Sequence, residues 1–597
     1  MKFKLFLPCL VWAFSLAAVL PPSWALADYV AFNGSEVAPN IAEFRIDEDG
    51  VHVQLEVYVG DLKTFDALVP NSWFKDDAPL RATSDDRIVD FTENGLSIRR
   101  SDGTALPIAV QLIERRMRVD RASPLTGQRD PATGKVFPAP PDDPRVLYAE
   151  LFYPFNGTRP DRLVFTPPLD ADGNAQVSIG MVVFDRDVPV IDFRYLAKRV
   201  TLNIEWLDPW YTSFENPNLA RHYRFPMMSF LYASPFEIRH EALIRVHNAA
   251  ELVGVEIAGR TMTKAERREI ESRLPSVLND RSPMAIDGKK IIPTFDRLSF
   301  MRIGTRGLNF IQEEDEVRAD ADYVGLIYST PTAGYAQEAT VEWTVFPDPV
   351  TKVPGNAIDA AGPFLAGLTS ENPILKWTNY FKTYEPPVIS PVVFGKERTL
   401  NVPMLTILLI VSTLCGAVFL FRRQSIPRIV RITALGTLLV ATAVSTQIGW
   451  INMENPIAST PDRPAAARIA SQLIENFHNA LQEKIPERLN EALRTSVSAD
   501  AFEDVKLELG RALIVEMQGG GAGSIKNIRD FGVANIRPTP SASGFQASVS
   551  WSVTATGEHW GHPHQKNIRF SAVMDIAPIE GAWKLTGMTV TSAQPEI

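Results

Sequence analysis

Residues 404–421, MLTILLIVSTLCGAVFLF, and 432–451, ITALGTLLVATAVSTQIGWI, carry no charge along their length. At 18 and 20 residues, each is long enough to cross a hydrocarbon layer about 30 Å thick. The link between them holds Arg422, Arg423, Arg428 and Arg431, and cationic residues in a short loop mark the cytoplasmic side. The pattern predicts a two-helix transmembrane hairpin, with helices over 403–421 and 432–452 and a cytoplasmic loop over 422–431. A helical hairpin buried in a soluble core is the alternative, and the uninterrupted apolar lengths weigh against it. Thr433, Ser445, Thr446 and Gln447 make the second helix the more polar one. Their side chains can bond a partner helix or, as Ser and Thr commonly do, the backbone of their own.

Both flanks of the hairpin then lie on the far side of the membrane, and the N-terminus agrees. Lys2 and Lys4 precede an apolar run from Leu5 to Leu20 and the exit Pro21-Pro22-Ser23-Trp24-Ala25-Leu26-Ala27. This reads as a signal peptide over residues 1–27, cleaved after Ala27; Pro21 and Pro22 argue against an uncleaved helical anchor. The expectation is a protein of the bacterial inner membrane with both large regions periplasmic. Its two cysteines, Cys9 and Cys415, fall in the signal and the first apolar helix, so the exported regions rely on packed cores and not on disulfides. A net charge of −10, without long Lys/Arg runs, excludes the basic footprint of a nucleic-acid binder.

Taken in order, Ile41 to Leu62 alternates apolar and polar residues around Asp47-Glu48-Asp49-Gly50, a β-hairpin signal. Further strand-like runs at Val146 to Tyr153, Arg162 to Thr166, Gln176 to Phe184 and Arg199 to Trp206 predict an antiparallel β-sandwich over 28–206. The Pro/Asp/Gly-rich stretch from Asp120 to Arg145 reads as a surface loop. A second β-rich domain is expected over 207–352, with its first strand at Phe236 to Val246. It carries one helix, which Thr263 caps and which has Ile270 and Leu274 on its apolar stripe. The prolines of 353–402 read as a partly extended connector to the membrane. Beyond it, 463–597 starts with three helices: one marked by Ile469, Leu473, Phe477 and Leu481, one begun by Pro486, and one capped by Asp500 and Glu503 and stopped by Gly519-Gly520-Gly521. Alternating strands follow. Helices ahead of a curved sheet predict a cone-shaped α+β domain similar to the nuclear transport factor two-like fold, which does not imply an enzyme.

The C-terminal residues Val515-Glu516-Met517-Gln518-Gly519-Gly520, Glu558-His559-Trp560-Gly561-His562-Pro563-His564 and Gly581-Ala582-Trp583-Lys584-Leu585-Thr586 resemble a widespread group of bacterial exported membrane proteins. These carry an EHWGHxH-containing module after a two-helix membrane hairpin. The likeness continues through Val188-Pro189-Val190-Ile191-Asp192-Phe193-Arg194-Tyr195-Leu196 and Asp208-Pro209-Trp210-Tyr211. It implies an architecture over most of the chain and supplies no mechanism.

One cluster has chemical promise. Three of the eight histidines, His559, His562 and His564, fall within six residues beside Glu558, and neutral imidazoles are good ligands for Zn²⁺ or Cu²⁺. On a regular strand His562 and His564 share a face and His559 opposes them, whereas a turn at Gly561 and Pro563 can gather all three. Glu558 then serves as a fourth ligand or fixes an imidazole tautomer. The competing reading is a polar β-hairpin with Trp560 packed on the sheet or on a neighbouring domain. The remaining candidates are weaker. His240 and His247 stand about 23 Å apart on an extended strand and cannot share an ion, so each reads as a satisfied sheet residue, and His478, one position off its helix's apolar stripe, is expected to be solvated. Asp170-Ala171-Asp172-Gly173-Asn174 lacks the glycine and the closing glutamate of a calcium loop and reads as a turn. Glu313-Glu314-Asp315-Glu316 reads as a solvated loop. Gly-x-Ser-x-Gly elbows, phosphate loops and dinucleotide fingerprints are absent from the sequence. The expected function is therefore binding, assembly or scaffolding, with another envelope protein or a second copy as partner. The alternative is a metal-binding or metal-dependent C-terminal domain.

Overall fold

A computed structural model describes residues 33–74, 81–119, 125–129, 134–221, 224–304, 307–383, 386–393, 399–422, 427–454, 461–514, 524–539 and 544–596. The signal-peptide segment, part of the arginine-rich link and the triple glycine lie outside the described residues. The protein is multidomain and β-rich, and it divides into two units. One comprises Met1–Arg224 with Phe300–Tyr323, the other Phe225–Ser299 with Val324–Ile597.

In the first unit the hairpin read from the sequence pairs Asn40–Ile46 with Gly50–Tyr58, Ile46 opposite Val51. It lies in a six-stranded sheet ordered Ala109–Met117, Arg145–Pro154, Gly50–Tyr58, Asn40–Ile46, Ile179–Asp185, Val188–Tyr195. A second sheet runs Ser213–Phe214, Val200–Asn203, Arg162–Thr166, Ser97–Arg100. Phe44, Leu55 and Leu151 of the first sheet share one core with Ile98, Phe165 and Leu202 of the second. The expected antiparallel sandwich needs one correction: Asn40–Ile46 and Ile179–Asp185 run parallel, so the larger sheet is mixed. The expected boundary after residue 206 is also too early. Asp208 caps a turn at Pro209–Tyr211 that places Trp210 edge-on to Tyr323, and Arg318 pairs with Asp187, so later segments fold into this unit. A helix at Ser84–Asn94, capped by Thr83, is new; only Phe91 of it is fully buried, so its apolar stripe is too thin to read. Asp170 accepts hydrogen bonds from the amides of Asp172 and Asn174, which makes the calcium-like segment an exposed turn.

In the second unit Met227–Ala233 lies between Glu237–Arg245, antiparallel to it, and Val353–Asp359, parallel to it, with Gly362–Leu368 beyond. The helix Lys264–Arg281 has the full capping box of Thr263 and Glu266 and buries Ile270, Leu274 and Leu278. A four-stranded sheet orders Lys289–Ile291, Met284–Ile286, Glu338–Glu342 and Ile374–Thr378. The expected connector over 353–402 is therefore largely strand. Its prolines are tolerated because Pro354 stands at a strand start and Pro363 on an edge strand, where a missing N–H costs little.

The last part of the second unit packs helices Arg463–Ala480, Pro486–Arg494 and Phe502–Ala512 on an antiparallel sheet. Its order is Val392–Val393, Ala582–Pro595, His562–Ile579, Phe545–His559, Ser524–Pro538. The third helix has no side-chain cap from Asp500, since Ala501 occupies the cap position. Leu473, Phe477, Trp551, Phe570 and Trp583 form the core between helices and sheet. Val392 and Val393, which precede the apolar pair in sequence, form the edge strand against Trp583 and Ala582, which follow it.

The apolar pair itself forms helices Met404–Arg422 and Arg428–Ser445. The second, Arg428–Ser445, is long and apolar enough to cross a membrane, while the apolar part of the first, Met404–Leu420, is shorter. The second helix stops at Ser445 and does not reach Ile451, because Trp450–Glu454 leaves it to pair with Thr399–Pro403. Thr433 and Thr446 bond their own helix backbone, and Ser445 Oγ donates to Thr442 O of its own helix and lies 3.0 Å from Thr406 Oγ1 of the other.

Candidate functional site

The His-rich segment is a β-hairpin tip. Strand Phe545–His559 turns into His562–Ile579 with His559 opposite His562, leaving Trp560 and Gly561 as a two-residue turn. Both turn residues have positive φ, 44° and 82°, the primed geometry that suits the right-handed twist of a hairpin and ordinarily selects Asn-Gly. A tryptophan at the first position carries backbone strain of roughly 1–2 kcal/mol, so contacts of its side chain and amide must hold it there. The next hairpin of the same sheet turns at Glu580-Gly581 with similar φ values and is solvated. The Trp560 side chain is 1% exposed.

The partner of the tip is one face of the pair Met227–Ala233 and Glu237–Arg245. Their register sets Tyr232 opposite Arg239 and Phe230 opposite Glu241, and residues two apart share a face, so these four side chains form one patch. Glu241 accepts the amide of Trp560, and the Tyr232 hydroxyl accepts the amide of Gly561 at 2.8 Å. Arg239 donates to the carbonyl of Glu558. A Cβ on Gly561 would lie 2.8 Å from Phe230 Cε1, so both the backbone angle and the close approach require glycine.

Electrostatics tighten the lock. Glu241 is fully buried, and burial pushes its carboxyl pKa up, opposed by Arg239 and by the Trp560 amide. Arg239 Nε donates to Glu241 Oε1 at 2.6 Å and Nη1 lies 3.4 Å from Glu237 Oε2. Burial opposes its charge, but the two carboxylates outweigh that and hold the guanidinium pKa above its ordinary value. Burial likewise pushes the Tyr232 hydroxyl well up, so it stays protonated. On the other face of the same strands His240 is buried, with Ser229 Oγ at 3.1 Å and Tyr328 stacked on it, and burial lowers its pKa to about 3. It is the satisfied sheet residue expected from its position, whereas His247 sits on the helix Val246–Val253 and is exposed.

Beside the lock is a cavity of about 400 Å³, lined by Tyr232, Phe236, Glu237 and Arg239 of the strand pair and by His478, Leu513, Ile525 and Glu558 of the C-terminal part. His478 corrects an expectation. It is 1% exposed, because the buried face of its helix is broad enough to take Asn476, Phe477 and His478 together. Its Nε2 accepts from the indole N–H of Trp551 at 3.0 Å, and burial lowers its pKa to about 4.

The structure places the four sequence candidates as follows. His559 is buried, its ring edge-on to Trp560. The register puts His562 opposite His559 and His564 opposite Gly557, so the backbone positions of all three histidines fall on one face of the hairpin, and Glu558 falls on the other. The side chains of His562 and His564 lie outside the described residues. Among the described residues no group of three His, Cys, Asp or Glu side chains is arranged to hold a metal ion. What sequence reasoning missed is the receiving patch. Its signal was the run Met227–Ala233, apolar except for Ser229, which is buried on both faces and therefore has to be covered twice. No family model and no curated protein sequence matches the chain.

Proposed function

We propose that the chain is an inner-membrane-anchored periplasmic protein of the binding and assembly type, in which the parts before and after a two-helix membrane anchor are built into one another on the same side. The observation that carries this is the edge strand Val392–Val393, upstream of the apolar pair, in register with Trp583 and Ala582 downstream of it. A strand cannot pair across a bilayer, so this pairing is compatible with two crossings between the segments and not with one. The ladder of Thr399–Pro403 with Trp450–Glu454 ties both ends of the helix pair at the same level. Support for lipid around the helices comes from Leu408, Leu414, Val418, Leu439 and Val440, all more than half exposed, and the arginines of the link favour a cytoplasmic side for it. The C-terminal part, a cone of the nuclear transport factor two-like kind, then serves as a held binding module facing another envelope protein or a second copy. Alkaline phosphatase fused after Ile597 is expected to be active in an intact bacterial host. Activity of a cytoplasmic reporter at the same point would sink the reading.

A second reading is a Zn²⁺ or Cu²⁺ site at His559, His562 and His564. It is supported by the shared face that the Trp560-Gly561 turn gives their backbone positions. Metal analysis of the purified chain is then expected to return about one ion per molecule, lost in the His562→Ala/His564→Ala variant. An unchanged metal content in that variant excludes it.

A further inference from the structure

Both apolar helices are short for a hydrocarbon layer of about 30 Å. At 1.5 Å per residue the apolar part of the first, Met404–Leu420, is about 25 Å long, and the charge-free part of the second, from Ile432 to Ser445, about 21 Å. At the end away from the arginine-rich link both continue into a two-stranded ribbon, in which Pro403 pairs with Trp450 and Val402 with Ile451. The residues there are still apolar, and they are bare: Trp450 is 53% exposed, Ile451 51%, and Ile448, between helix and strand, 60%. Trp450 and Ile451 are consecutive on a strand and point to opposite faces, so both faces of the ribbon are open at this level. The ribbon is also fixed to the helices. Gly449 has a φ of 83°, and a Cβ on it would lie 2.8 Å from Leu405 Cβ, so the turn out of the second helix seats directly on the start of the first. The indole N–H of Trp450 donates to Thr446 O at 3.0 Å, which turns the polar edge of the ring to the helix end.

We infer that the ribbon completes the span: its first two ladder pairs lie in the interfacial layer of the bilayer, at the level of the lipid glycerol groups, with the Trp450 ring setting the depth. The inference rests on the two-helix anchor proposed above. At about 3.3 Å per residue two pairs add about 7 Å, close to what the helices lack. The ladder satisfies the inward N–H and C=O groups of each strand, while its two outer borders have no strand beside them among the described residues. Such borders are not tolerated in hydrocarbon, so the ribbon belongs at the depth where water still reaches them. Tryptophan is favoured at that depth, because its ring is apolar and its N–H is not. The next pair, Asn401 with Asn452, marks the passage to water.

The test uses the full chain in lipid nanodiscs and reads tryptophan fluorescence, the difference between the parent and Trp450→Phe isolating this ring among the 11 tryptophans. Retention of the chain in membranes washed with alkaline carbonate is established first; release overturns the two-helix anchor and the ribbon with it. In retained protein, phosphatidylcholine brominated high on its acyl chains, next to the glycerol, is expected to quench the Trp450 share about twofold, and lipid brominated at the chain ends clearly less. Subtracting Trp450→Tyr in place of Trp450→Phe is expected to give the same result. Equal or stronger quenching by the chain-end bromines overturns the placement. Quenching by neither lipid overturns the ribbon and leaves the anchor standing: full access of acrylamide to the ring then puts it in water, and no access puts it under a second copy.

Discussion

Arg239→Ala is expected to destabilise the second unit by about 3–5 kcal/mol, the cost of leaving a buried carboxylate without its counter-charge. Glu241 is 0% exposed and would retain only the Trp560 amide and the more distant Arg297 to offset its charge. The variant should also acquire a pH dependence. The Glu241 pKa is already raised in the folded state, and removing the guanidinium raises it further. Between the ordinary carboxylate value and that raised value, the folded chain binds a proton that the unfolded chain does not. Stability of the variant therefore falls as pH rises through this window, and its deficit against the parent should be larger at pH 8 than at pH 5. Thermal unfolding in detergent at the two pH values checks the sign. Hydrogen exchange at the Trp560 and Gly561 amides checks that the loss is at the lock. A deficit below about 1 kcal/mol at both pH values would show that the pair is not the counter-charge described.

Trp560→Ala is the second large effect, about 3–5 kcal/mol for emptying the space of a fully buried tryptophan. Trp560→Asn separates turn from contact. Asparagine is favoured at this turn position, so the hairpin itself should form at least as well, while the patch of Phe230, Tyr232, Arg239 and Glu241 loses its cover. The expected outcome for Trp560→Asn is therefore a protected sheet, read at amides of Phe545–His559, with fast exchange at Gly561. If Gly561 stays protected in both variants, the indole is not what seats the tip.

The elements most legible in the sequence are those whose signal is local. Thr263 and Glu266 announce a helix start by a capping box, Pro486 begins another helix, and Asp47 to Gly50 mark a turn between alternating strands. Trp560 was legible as a hairpin residue packed on a sheet or neighbouring domain, but which surface receives it depends on strands more than three hundred residues earlier, and nothing near Trp560 encodes that. The misreadings have the same origin. The prolines of 353–402 suggest an extended linker when taken alone, yet Val353–Asp359 becomes a strand because Met227–Ala233 offers it a parallel partner. His478 reads as solvated from its helix wheel, and it is Trp551, on a strand formed much later in the chain, that makes its burial tolerable. The mixed character of the larger sheet in the first unit is likewise a property of pairing and not of either strand.

The edge strand Val392–Val393 bears on biogenesis. It is synthesised before the helices Met404–Arg422 and Arg428–Ser445, and the strand it borders, Ala582–Pro595, follows them. The C-terminal sheet thus cannot gain this edge until residues 582 and 583 have been made and brought to the side where the early strand waits. Until then Ala582 and Trp583, at the start of Ala582–Pro595, lack their edge partner on one border, and an unpaired strand border is the kind of template on which other chains aggregate. Two residues emerging early act as a tether for the last hairpin, and under the proposed two-helix anchor they tie maturation to correct insertion: a molecule with that anchor inverted would lack this edge pairing and be more exposed to proteolysis.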